Sequence, residues 1–274
     1  LPSSCLSDIP LRQSTMTGWE APEDYLTIIP DSNLGEPLNV IISNASSSAV
    51  LSDPAPFFSS LFYSPNSCLG ISLGDDQAAN LNDGQGSVNQ TALYRYNFDN
   101  GITTCEESLN GGMHFRYWVQ QNTGAIFMAV SVEESSSKSH TIAPNGYDHG
   151  RDWLVGNATN SSGTTSPQDN SQYTSTMVTF DASDDITLSD INHGIKTDKD
   201  IYVLTVTQTK AGDGTNVTDS SAADASTSSG SSSSSSAARR SQADAPWIIV
   251  AGSVAGTLLL GSFVGGLSLL TTTA

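Results

Sequence analysis

Trp247 to Leu270 reads WIIVAGSVAGTLLLGSFVGGLSLL, 24 residues without a charge, followed by Thr271, Thr272, Thr273 and Ala274. That is long and apolar enough to cross a bilayer as a helix, and water tolerates it poorly if it stands alone. Nothing just upstream can bury it. From Ala211 to Ala238 the chain is AGDGTNVTDSSAADASTSSGSSSSSSAA, with too little apolar surface to offset its ordering entropy, so it is expected to be a disordered spacer and a stalk for O-glycans. The chain therefore divides into an N-terminal extension, 1–16, a globular domain, 17–208, a Ser/Thr-rich stalk with a polar spacer, 209–246, and the hydrophobic segment, 247–270.

Two uses of that tail fit its residues. As a retained transmembrane helix it carries GxxxG at Gly252/Gly256 and at Gly261/Gly265, which permits close helix pairing. As a glycosylphosphatidylinositol signal it has small residues around Ser235, the candidate attachment site, then the spacer Ala238 to Pro246 and the apolar run. Charge favours the second use. Arg239 and Arg240 precede the run and no Lys or Arg follows Leu270, the reverse of what a helix with its N-terminus outside requires. The Arg pair is read as an unprocessed polar flank.

A first residue other than Met, in LPSSC, is what removal of a signal peptide leaves. Five N-x-S/T sequons, at Asn44, Asn89, Asn157, Asn160 and Asn216, fit the same secretory route. Three cysteines allow one disulfide. Cys68 is paired with Cys105 because both lie among core-like segments, leaving Cys5 near the terminus. With 28 acidic against 10 basic residues and a formal charge of -18, the chain repels phosphate backbones, so nucleic acid is excluded as a partner. The expected partners are the membrane, through the C-terminal segment or a lipid anchor, and wall polysaccharide, at the extracellular face of the plasma membrane or in the wall.

Within 17–208 the pattern is mainly β. His114 to Gln120 and Ala125 to Val132 alternate in apolarity around Gln121-Asn122-Thr123-Gly124, which predicts a hairpin. Strands are also predicted over Leu26–Ile29, Leu38–Ile42, Leu93–Phe98, Tyr173–Phe180 and Ile201–Gln208. The last two either extend the main sheet or form a lobe of their own. A short helix is predicted over Asp53–Tyr63, where Pro54 follows a capping Asp and Phe57/Leu61 and Phe58/Phe62 recur at i, i+4. One or two helical turns are predicted within Pro144–Gly156, ending at Gly156, and loops over 74–86 and 157–172. The fold class is α+β, mainly antiparallel sheet with a few short helices.

The phrases TGWEAPEDYLTIIPDSNLGEPLNVIIS, CEESLNGGMHFRYWVQ and PNGYDHGRDWLVG resemble a group of uncharacterised fungal secreted or cell-surface proteins, over roughly Asp8 to Gly156. The resemblance implies placement at a fungal surface and brings no catalytic residues with it.

No catalytic or cofactor motif is present, and no cofactor or metal is expected. The candidate acid/base residues are Glu106, Glu107, His114 and Asp148, since paired carboxylates are what glycoside cleavage needs. Arg151 and Asp152 read as a salt bridge or cap, and His140 and His193 as solvated loop residues. Asp75/Asp76, Asn82/Asp83 and Asp181/Asp184/Asp185 lack calcium-loop spacing and read as acidic loops. Trp118, Trp153, Trp19 and Tyr147 are the rings available for a sugar platform. Trp19 and Trp153 are assigned to the core, whereas Trp118, Arg116 and His114 share a strand face and are the expected ligand-binding residues, Trp118 foremost. The leading function is a non-enzymatic surface glycoprotein that binds polysaccharide or mediates adhesion. The alternatives are a glycan-directed hydrolase and a structural wall component.

Overall fold

The computed structural model describes residues 18–65, 68, 75–98 and 104–212. The extension 1–16 with Cys5, the sequon at Asn216, Ser235 and the apolar run lie outside the described residues. All described residues belong to the unit Leu1–Ala222. Among them no helix is long and apolar enough to cross a membrane.

The centre is the predicted hairpin. β6 (Gly112–Val119) and β7 (Ile126–Glu133) pair from Gly112↔Glu133 to Val119↔Ile126. Gly124 closes the turn with φ +77, a conformation that glycine adopts without a Cβ penalty, and its N–H donates to Gln120 O at 2.7 Å. Around this pair the sheet grows to eight strands: β1 (Val40–Ile42), β2 (Tyr63–Ser64), β5 (Ala92–Tyr96), β8 (Thr164–Thr165), β9 (Gln172–Asp181) and β10 (Asp200–Lys210) join it in the order β2-β5-β6-β7-β1-β10-β9-β8. Every pair is antiparallel except β1 with β10. The strands over 173–208 thus extend the main sheet through β1.

Both faces of the sheet are covered, which explains why β1 and most of β7 are buried on every residue. On one face Phe115, Tyr117, Met128, Val130 and Leu204 meet α1 (Ser48–Ser52), α2 (Ala55–Ser60) and the C-terminal half of α4 (Gly146–Ala158). On the other, Trp118, Phe127, Ile41 and Val203 meet Trp19, Tyr25, Leu38, Leu81, Ile186 and Ile191. A small hairpin of β3 (Ala78–Asn80) and β4 (Ser87–Asn89) stands over this second face; β3 lies within the 74–86 stretch read from sequence as loop, and β4 follows directly after it. Leu26–Ile29 is no strand. It makes only isolated bridges, Leu26↔Pro37 and Ile28↔Ala78.

α4 contributes to both cores, Tyr147 to the second and Leu154, Val155 and Ala158 to the first. Its first turn lies beside the residue that precedes β1. The Asn39 side chain fills the backbone gap there, donating to Val130 O at 2.9 Å and Tyr147 O at 3.0 Å and accepting from Val130 N at 3.0 Å. The helix runs through Gly156 to Ala158, because the burial of Leu154, Val155 and Ala158 outweighs the roughly 1 kcal/mol that an exposed helical glycine costs.

Candidate functional site

Two places on the domain have the makings of a site, one buried and polar, the other exposed and aromatic. The buried one lies on the second face of the sheet, where Arg95 of β5 stands directly across from His114 of β6, and His114 from Ser131 of β7. α3 (Cys105–Asn110) follows the end of β5, held at its first residue by the Cys68–Cys105 disulfide, and delivers Glu107 to this point. Glu133 arrives from the end of β7.

Arg95 Nη1 lies 2.9 Å from both oxygens of Glu107 and 3.0 Å from Glu133 Oε2. His114 Nε2 is 3.5 Å from Glu133 Oε1, and His140 Nδ1 is 3.2 Å from Glu133 Oε2. Ser139 and His140 both have positive φ, +59 and +52, which turns the loop inward and brings the His140 ring onto Glu133. His140 is therefore not a solvated loop residue, as its polar neighbours suggest. Both its ring nitrogens are buried.

One cation cannot fully compensate two carboxylates. Burial pushes Glu107 up, to about 7, against the pull of Arg95. Burial also raises Glu133, but His114 and Arg95 outweigh it and hold that carboxyl below its ordinary range. Burial keeps His114 down at about 4, against the attraction of Glu133. Near neutral pH the group thus consists of Arg95 as cation, Glu133 as anion, neutral His114 and a Glu107 that keeps its proton to much higher pH than an ordinary carboxyl.

A raised acid beside an ionised carboxylate is the electrostatics of an acid/base pair, and Glu107, His114 and Glu133 place donor atoms within 4.8 Å of one another, as a cation would need. Access and occupancy argue against both uses. Glu107 is 0% exposed and His114 1%, so a glycosidic oxygen cannot meet them while α3 stays in place. Arg95 already fills the space between the carboxylates. The cluster is a buried ion network centred on Arg95 and Glu133 that fastens α3 to the sheet and holds the 139–140 loop by ion pairing alone, since neither His140 ring nitrogen makes a hydrogen bond.

The other sequence candidates disperse. Glu106 is exposed on α3. Asp148 accepts from Thr197 Oγ1 at 2.5 Å and Asp198 N at 3.2 Å, in a separate network. There Arg151 forks onto Asp198 at 2.5 and 2.8 Å, reaches Asp152 at 2.8 Å and covers the Tyr202 ring, the salt-bridge reading of GRDWL. Arg116 is buried and donates to Gln90 Oε1 at 2.6 Å. Trp118, expected to meet a ligand, is 0% exposed and donates its indole N–H to Val88 O at 3.1 Å. The face that Trp118 shares with His114 and Arg116 is polar at one end only, and it is roofed by the 19–39 segment and by β3 and β4. Trp19 and Tyr147 are also core residues.

Trp153 reverses its assignment. It is 46% exposed on α4, where it begins an aromatic patch that composition alone does not disclose. Tyr96, the last residue of β5, is the hub: Trp153 stands 6.4 Å from it, Phe98 4.9 Å and Phe62 6.4 Å, all edge to face, with buried Tyr63 beneath at 5.6 Å. Phe62 and Phe98 are 41% and 46% exposed. Phe62 has φ +65, a left-handed conformation costing a bulky residue about 1 to 2 kcal/mol. It is held there by a 2.7 Å bond from Asn97 N to its carbonyl. Beside Phe62 opens a groove of about 430 Å³ whose polar lining includes Ser59, Ser64, Asn97 and Gln168.

No family model, curated protein or solved structure matches this chain. The functional reading therefore rests on its own residues. Sequence reasoning missed Arg95, Glu133 and His140 in the buried cluster, and Phe62, Tyr96 and Phe98 in the patch. The signal for Arg95 was legible: a lone cation alternating with Tyr94 and Tyr96 must face something that neutralises it.

Proposed function

We propose that the protein is a non-enzymatic surface glycoprotein, tethered by its C-terminus at a fungal plasma membrane or wall, whose aromatic patch binds wall polysaccharide. The single observation that carries this reading is the patch itself. Three exposed rings joined through Tyr96 offer apolar faces to the flat faces of sugar rings, and the adjoining groove offers hydroxyl and amide groups to their rims. Soluble domains rarely leave so many neighbouring aromatic rings uncovered without a partner.

The tether supports the same reading from the other end. A Ser/Thr stalk at 209–246 would raise the domain above the membrane, and the 247–270 run would hold it there, by a lipid anchor near Ser235 or as a helix. Asn44, Asn89 and Asn160 are exposed and open to glycans, and Asn157 is half-buried. The hydrolase alternative loses support because Glu107 is sealed in, Glu106 is exposed and Asp148 belongs to a separate network. A panel of insoluble β-glucan, chitin and mannan, probed with the detergent-solubilised full chain, tests the proposal. Selective retention on at least one is expected, and equal, salt-sensitive retention on all or none would refute it.

A further inference from the structure

Trp153 and Asn157 are four residues apart on α4, so their side chains rise from the same helix face, one turn from each other. Side chains on a helix lean toward its N-terminus. Asn157 therefore leans over the turn that carries Trp153, and a sugar on its side-chain nitrogen leaves the protein in that direction. The sequon Asn157-Ala158-Thr159 is complete. Among the described residues no hydrogen bond holds the Asn157 side-chain amide, whereas the neighbouring sequon's Asn160 Oδ1 is engaged by Ser162 N at 2.9 Å.

From this geometry we infer that an N-linked glycan on Asn157 folds back onto Trp153 and covers that end of the aromatic patch, so that the first sugar the patch meets is the chain's own. The inference rests on the secretory reading above, since only that route supplies the glycan. It adds regulation to the proposed binding surface: a wall polysaccharide must displace the Asn157 glycan from Trp153, or share the patch by using Phe62 and Phe98.

The test uses the full chain made in a glycosylating secretory host. It carries Trp247→Phe, so that Trp153 becomes the exposed fluorophore beside the buried Trp19 and Trp118. Acrylamide quenching is compared for this parent and for Asn157→Gln, Thr159→Ala and Asn160→Gln, with glycan occupancy read by mass spectrometry. Loss of the Asn157 glycan by either route is expected to raise the quenching constant about twofold, and Asn160→Gln to leave it unchanged. Equal quenching in all four, with Asn157 occupied in the parent, overturns the inference. Glycans found elsewhere but absent from Asn157 overturn it while leaving the secretory reading intact, and no glycan at any sequon overturns both.

Discussion

Trp153 of α4 stands 6.4 Å from Tyr96 of β5, at 85° between ring planes. The contact joins a helix to a strand end at the surface, and each ring steadies the other while Trp153 stays 46% exposed. Trp118 plays the opposite part, with no exposure at all. Trp118→Ala is expected to cost about 3 to 5 kcal/mol in denaturant unfolding, whereas Trp153→Ala costs within about 1 kcal/mol. Equal losses would mean that the two tryptophans are wrongly assigned to core and surface.

Two glycines of α4 differ in what surrounds them. A Cβ on Gly150 would stand 2.6 Å from the Ser131 carbonyl carbon and 2.7 Å from its Cα, whereas a Cβ on Gly156 meets nothing within 4 Å. Gly150→Ala is therefore expected to destabilise by about 1 to 3 kcal/mol or more, because strand backbone cannot move aside. Gly156→Ala should stabilise by about 0.5 to 1 kcal/mol through helix propensity. Thermal melts of the two variants read both signs.

Removing the shared cation of the buried network leaves carboxylates without a counter-charge. Arg95→Met is expected to cost about 3 to 5 kcal/mol at pH 7. The loss should shrink in acid, as Glu133 and Glu107 take up protons. A loss independent of pH would show that Arg95 matters only as packing.

Glu107 and His114 pull the pH dependence of stability in opposite directions. His114 titrates at about 4 when folded and near 6.5 when unfolded, so the unfolded state binds the extra proton and stability falls as pH drops through that window. Glu107 titrates at about 7 when folded and near 4.5 when unfolded, so its contribution is present in acid and is lost as pH rises toward 7. Between about pH 4.5 and 6.5 the two slopes, each at most about 1.4 kcal/mol per pH unit, oppose one another. Urea midpoints for Glu107→Gln should rise more steeply with pH than those of the parent, and those for His114→Gln should fall. Parallel profiles would contradict the charge states assigned to the cluster.

What was legible in the sequence was periodicity. β6, β7, β9 and β10 alternate over enough residues that their extents emerge within a few positions, and Gln121 to Gly124 has the composition of a turn. Alternation reports which residues share a face. It does not report what covers that face, and for this reason Trp118, aligned with His114 and Arg116, reads as a surface residue although a second layer closes over it. The same limit hid the patch, since Phe62, Phe98 and Trp153 come from a helix end, a strand end and a helix face that only the tertiary fold brings around Tyr96. α3 escaped notice because a six-residue helix has too few turns to show a period, and it is held by Cys105 and the Arg95–Glu107 pair.

The most direct measurement is a binding isotherm on the polysaccharide that retains the full chain best, taken for the parent, Trp153→Ala and Phe98→Ala, with melting midpoints recorded on the same samples. Each variant is expected to bind about tenfold or more weakly, the loss of roughly one stacked ring, with its midpoint within a few degrees of the parent's. Unchanged affinity in both variants, with the fold intact, would contradict the claim that the exposed rings around Tyr96 form the binding surface.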